Sequence, residues 1–114
     1  MAYNDALAER VRMHLRQAGH ESTEKKMMGG LCFMVNDKMC VGIFKDLLMA
    51  RIDPEKEPLL LKEQGARPMD FTGKPMKGYL FIDESGTDRE NLLEFWVKEC
   101  LSFNPKAKAS KKRG

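Results

Sequence analysis

No hydrophobic run in this chain approaches the roughly 20 residues that a membrane helix requires. Its opening, Met1-Ala2-Tyr3-Asn4-Asp5-Ala6, has neither the basic start nor the apolar stretch of a secretory signal. Cysteine is scarce: Cys32, Cys40 and Cys100 are odd in number and show no CxxC spacing, which argues against a disulfide framework. Histidine is scarcer still, with His14 and His20 alone. No P-loop and no GxGxxG pattern surrounds Gly29-Gly30, the one glycine pair. These absences lead to the expectation of a cytoplasmic protein with reduced thiols, no membrane association, and no cofactor or metal.

What is present suits one domain. A chain of 114 residues buries roughly two-thirds of the surface it exposes when unfolded, and 42% hydrophobic with 32% charged residues is an ordinary globular balance. The net charge of +3 is unevenly placed. Lys106, Lys108, Lys111, Lys112 and Arg113 lie beyond Pro105 with no acidic residue among them; setting those five aside leaves 15 basic against 17 acidic residues, about −2. The expected division is therefore a domain over residues 1–104 and a basic, disordered tail over 105–114. The tail has the composition for weak, nonspecific nucleic-acid contact through its four lysines and Arg113, with no aromatic residue to stack on bases.

Periodicity predicts a helix over 3–18, where Tyr3, Leu7, Val11, Leu15 and Ala18 recur at spacings of three and four before Gly19. From 23 the period falls to that of strands. Short strands are predicted at 25–28, 31–35, 39–44 and 47–52, turning at Asn36-Asp37 and Lys45-Asp46. Apolar residues sit on both faces of 31–35, so something is expected to cover the second face. Asp53-Pro54 resembles a capped helix entry, and a short helix is predicted at 59–64. A strand follows at 79–82, internal to the sheet. The last helix, 88–102, is expected to open on a capping box of Thr87 and Glu90 and to end at Asn104-Pro105. The fold class is α+β: two layers, an antiparallel β-sheet of about five strands with an N-terminal, a short middle and a C-terminal helix.

The segment from Gly65 to Tyr79 combines three glycines and two prolines with Met69, Phe71, Met76 and Tyr79. Stiff turns joined to large hydrophobes make sense only if the loop is packed. Arg67, Lys74 and Lys77 on it are the candidates for contact with an anionic ligand in an adjacent cleft. Cys32 and Cys40 are expected on opposite sides of the sheet, because a two-residue turn at Asn36-Asp37 sets Phe33 against Cys40 and Cys32 against Val41. They are read as buried, neutral thiols. Asp83-Glu84, Glu55 and Glu57 stand at turns and helix starts, where carboxylates serve exposed amides. The nine methionines fill a core or form an adaptable protein-binding surface, a homodimer being one such arrangement. No catalytic constellation emerges.

Two stretches resemble a known family. Met27-Met28-Gly29-Gly30-Leu31-Cys32-Phe33-Met34-Val35-Asn36-Asp37-Lys38-Met39 is similar to the glycine-pair and hairpin motif of the TfoX N-terminal domain, and Arg67-Pro68-Met69-Asp70-Phe71-Thr72-Gly73-Lys74-Pro75-Met76-Lys77-Gly78-Tyr79 to its second motif. At the hairpin the family often carries Asn-Gly where this chain has Asn36-Asp37. The resemblance covers residues 3–103 and implies a small bacterial α+β domain, its antiparallel sheet packed against helices. It further implies kinship with regulators of competence genes that act at promoters with the cyclic-AMP receptor protein. Those regulators carry a second, helical domain where this chain has its basic tail. The family brings no catalytic residues with it, so the function expected is a non-enzymatic interaction or regulatory module with a protein partner. The alternative is a small anionic-ligand binder or enzyme using a cleft near the 67–78 loop.

Overall fold

The structure is a computed structural model and describes residues 3–27, 29–70 and 76–107. Helix α1, Asp5–Gln17, opens where the Asn4 side chain accepts the Leu7 amide at 3.0 Å, and it buries Leu7, Ala8, Val11 and Leu15. Strands β1, Thr23–Met27, β2, Gly30–Val35, β3, Lys38–Phe44, and β4, Leu47–Arg51, form the predicted antiparallel meander. A 3-10 turn at Pro54–Lys56 and a four-residue helix α2, Glu57–Leu60, follow. Asp53 caps that turn through the Glu55 amide at 2.9 Å, and Pro58 is accommodated in the first turn of α2, where its missing amide proton costs nothing. Strands β5, Ala66–Pro68, and β6, Tyr79–Ile82, complete a six-stranded sheet of order β1-β2-β3-β4-β6-β5. Helix α3, Glu90–Phe103, ends the domain.

Strand β5 is absent from the sequence reading. Three residues with a proline make too short a pattern to register, and an edge strand tolerates the lost donor. Its presence makes β6 internal, as its two-faced apolarity predicts. The capping box also fails. Helix α3 starts at Glu90 after Arg89, with no side-chain cap; Thr87 instead closes a 3-10 turn over Glu84–Gly86 and is buried. Glu90 is drawn away to Arg10 and the His14 ring on α1.

The Asn36-Asp37 turn is the two-residue type, both residues lying at positive φ (56° and 63°), and it pairs Val35 with Lys38. A bulge then intervenes: Met34 pairs with Met39, but Phe33 pairs with Val41, so Cys40 is the extra residue. Cys32 therefore stands opposite Gly42, not Val41. The thiols still fall on opposite sides, because the bulge turns both Cys40 and Val41 toward the helices. Gly30 permits a close approach between strands here; a Cβ on it would lie 2.0 Å from the Ile43 carbonyl oxygen.

One sheet face is covered by α1, α2 and α3. There Phe33, Val41, Ile43, Leu48 and Ile82 pack against Val11, Leu15, Leu60, Leu93 and Trp96, all buried. The other face carries a separate cluster of Cys32, Met34, Met39, Met49, Met69 and Phe81. Met69 comes from the segment read as a packed loop, is fully buried, and donates its amide to Tyr79; Met76 donates to the Met69 carbonyl at 2.9 Å. Glu57 anchors the same segment by accepting the Gly78 amide at 2.7 Å. Part of the second-face cover expected from the sequence is thus this ribbon, of which residues 71–75 lie outside the described set.

Past α3, Asn104–Lys106 form another 3-10 turn, and Ala107 is buried. Asn104 is itself buried and donates to the Val35 carbonyl at 3.0 Å while accepting from Asn36. Lys38 reaches the Asn104 and Pro105 carbonyls. The β2–β3 hairpin and the end of α3 are thereby joined. The remaining tail, 108–114, lies outside the described residues.

Candidate functional site

Cross-strand pairing defines what the second sheet face offers. Lys25 pairs with Cys32, Cys32 with Gly42, Gly42 with Met49, Met49 with Phe81, and Phe81 with Arg67. These six positions form one row across the whole sheet, cationic at both ends and apolar between. Alternation along β4 puts Arg51 on the same face as Met49, opposite Tyr79. Glu24 is the one acidic residue in any of the six strands, and its pairing with Phe33 turns it to the helix side.

Three cations at this face lie over aromatic rings. The Arg51 guanidinium lies 5.5 Å from the Tyr79 ring centroid, that of Arg67 5.7 Å from Phe81, and the Lys45 ammonium 5.4 Å from Phe44. Phe44 and Phe81 stack in turn at 5.8 Å. Arg51 also donates to the Met39 carbonyl at 3.3 Å. Among the described residues no carboxylate forms an ion pair with Lys25, Lys45, Arg51 or Arg67. On the helix side, two arginines of α1 have carboxylate partners, while Lys26 and Arg16 have none among the described residues. Arg12 lies over Phe33 but is gripped by Glu24 and Glu9, and Arg10 donates to Glu90 at 2.7 Å and to the Thr87 carbonyl at 2.6 Å. These pairings raise Arg12 further above its usual range, the Glu24 hydrogen bond first, and hold Glu24 below the usual carboxylate range. Glu90 is held low mainly by the His14 ring, whose Nε2 lies 2.7 Å from Glu90 Oε1, and then by Arg10.

Beside the 67–78 segment runs an open groove of about 500 Å³, lined by Pro54, Glu55, Glu57, Pro58, Leu61 and Lys77. The alternative reading asks for a cleft beside this segment with cations for an anionic ligand; the charged lining of this groove is two carboxylates to one ammonium. Lys77 stands on it, Arg67 stands over Phe81 on the second face, and Lys74 lies outside the described residues. Of the tail cations, Lys106 is exposed on the last 3-10 turn; Lys108, Lys111, Lys112 and Arg113 lie outside the described residues.

The residues weighed for chemistry are occupied otherwise. All three thiols are at most 1% exposed, and burial pushes Cys32 up to about 11 and Cys40 up to about 12, against the pull of Arg51 on the latter. Cys100 is likewise raised by burial. Asp83 accepts the Ser85 amide and hydroxyl, and Asp53 the Glu55 amide. Among the described residues no three His, Cys, Asp or Glu side chains converge to hold a metal ion. Sequence reasoning passed over Arg51, Lys25 and Lys45. The signal was present in the parity of Leu47, Met49 and Arg51, but a cation at a strand end reads as a boundary.

No described helix is long and apolar enough to cross a membrane. A search of curated proteins finds no match. The TfoX N-terminal domain model matches residues 14–104, which takes in the glycine-pair hairpin, the ribbon and α3. The chain belongs to the TfoX N-terminal domain family.

Proposed function

We propose that this domain is a non-enzymatic interaction module of the regulatory type, akin to the N-terminal domain of competence regulators, working in the cytoplasm through a protein partner. The observation that carries the reading is how the reactive side chains are used. The thiols are sealed in the two cores, the turn carboxylates hold backbone amides, and His14 is engaged by Glu90. Family membership supports it, since the TfoX N-terminal domain is not a known enzyme family. A second copy of the chain is one partner the reading admits.

The groove along Pro54, Pro58 and Leu61 supports a second reading, a small-ligand site with Lys77, joined by Arg67 and Lys74, meeting an anionic group. A melting screen against nucleotides and phosphorylated metabolites separates the two, because a ligand of the native state raises the melting temperature by mass action. The interaction reading predicts no saturable hit; a reproducible one overturns it. Nucleic-acid contact by the tail, through Lys106, Lys108, Lys111, Lys112 and Arg113, predicts binding that falls steeply with salt and vanishes on deletion of 106–114. Unchanged binding by the shortened protein removes that contact.

A further inference from the structure

We propose that the groove walled by Pro54, Pro58 and Leu61 docks a basic segment of a partner protein, with an apolar side chain filling the groove and flanking cations meeting Glu55 and Glu57. The inference deepens the interaction reading and rests on it. Charge complementarity carries it, and the use made of the neighbouring cation sharpens it. Lys56 stands between the two acids in the chain, yet its ammonium is turned to Glu99 on α3 at 3.5 Å. The Glu55 side chain forms no ion pair or hydrogen bond among the described residues. Glu57 gives Oε1 to the Gly78 amide and has Oε2 left over. Lys77 is the one cation of the lining. What the groove offers a visitor is therefore negative charge beside an apolar wall.

The groove is open, and its walls are stiff. Proline rings fix the backbone at Pro54 and Pro58, and the chain at Gly78 runs so close that a Cβ there would lie 3.2 Å from Pro54 Cγ. A site held in shape before binding avoids the cost of ordering itself. Pro58 and Leu59 are exposed, Leu59 at 63%, so apolar surface continues past the rim into water. The volume of about 500 Å³ lies in the range of specific binding pockets. Anionic occupants fit less well. A phosphate group or a nucleic-acid strand sets its charge against two carboxylates, with a single ammonium to hold it. The chain's own tail fits poorly too: residues 108–114 bring Lys108, Lys111, Lys112 and Arg113, but no apolar side chain larger than that of Ala109.

The test is fluorescence anisotropy of the full chain with three labelled pentapeptides: tryptophan between pairs of lysines, tryptophan between pairs of glutamates, and pentalysine. The proposal predicts saturable binding of the lysine–tryptophan peptide, about tenfold tighter than of either other peptide. Glu55 is exposed and its side chain holds nothing in the fold, so Glu55→Lys keeps the structure, and it has to weaken that binding about tenfold. Glu21→Lys, an equal change of charge between α1 and β1, leaves binding as it was, and Lys77→Gln tightens it by removing a like charge. An anionic-ligand site predicts the reverse, with the glutamate–tryptophan peptide bound best and Lys77→Gln weakening it. That outcome overturns the proposal. So do equal binding of pentalysine, equal losses in Glu55→Lys and Glu21→Lys, absence of binding, or binding that appears only after deletion of 108–114, which makes the groove a seat for the tail. Failure of the peptide arm without a metabolite hit in the melting screen strikes this docking site and leaves the interaction reading standing. A metabolite hit strikes that reading and the proposal with it.

Discussion

Trp96 is the largest fully buried side chain in the domain, 2% exposed and set edge-on to Phe95 at a centroid distance of 5.2 Å. Trp96→Ala removes the indole from between α3 and the sheet and is expected to cost about 3–5 kcal/mol in chemical denaturation. A loss below about 1 kcal/mol means that the site is not packed as described. Asn104 makes a different point, since its amide nitrogen satisfies a buried strand carbonyl. Asn104→Ala strands the Val35 oxygen and is expected to cost about 1–3 kcal/mol, though it deletes few apolar contacts. The cysteines give a kinetic readout. Because burial raises all three thiols, native protein at pH 8 should resist iodoacetamide until it unfolds, and rapid labelling of the folded state contradicts the burial. Raised thiol values stabilise the fold fully below the unfolded thiol value of about 8.5, and that contribution drains away as pH climbs toward the folded values. Denaturation midpoints should accordingly fall in alkali. Glu24 and Glu90 behave in the reverse sense: held low in the fold, they stabilise above the unfolded value of about 4.3, and the gain is lost as pH falls through the folded values. Both carboxylates lie near the surface, so the acid effect is screened and modest.

At the scale of elements, the glycine pair is where sequence and structure meet most tightly. Gly29 takes φ +76° at the turn, and Gly30 lets β2 lie against β3 with no room for a side chain. Gly30→Ala drives a methyl into the Ile43 carbonyl, so it should unfold the β1–β2–β3 corner or cost upwards of about 2 kcal/mol. A melting temperature equal to wild type contradicts the close approach. The helices, the meander and the internal β6 were legible because hydrophobic period and turn residues act locally. Two features were not. Strand β5 depends on an edge position and on pairing with β6, which a three-residue pattern containing Pro68 does not announce. Glu90 three residues after Thr87 satisfies a local rule for a cap, but Arg10 and His14 from α1 offer it two partners that only the tertiary arrangement provides. The Cys40 bulge is a third case: the turn was read correctly, while the register beyond it is decided by side-chain fit across β2 and β3.

For the whole molecule, the division of labour lies between the two faces of one sheet. The helix side is the larger hydrophobic core, with the Arg10–Glu90 and Arg12–Glu24 pairs at its border. The other side is a second, smaller buried cluster of thioethers and Phe81, bordered by Arg51 and Arg67 over aromatic rings. The sequence showed the apolar half of that surface in the two-faced strands and the methionines. It did not show the cationic half, since Lys25, Arg51 and Arg67 are brought into relation only by pairing across six strands. The methionines supply their own reporters. With ε-13C-methionine in the full chain, a soluble paramagnetic agent should broaden the methyl signal of Met13 on the exposed side of α1 while those of Met34, Met49 and Met69 are spared, as a closed second cluster requires. Broadening of the second-face methyls equal to that of Met13 contradicts the account.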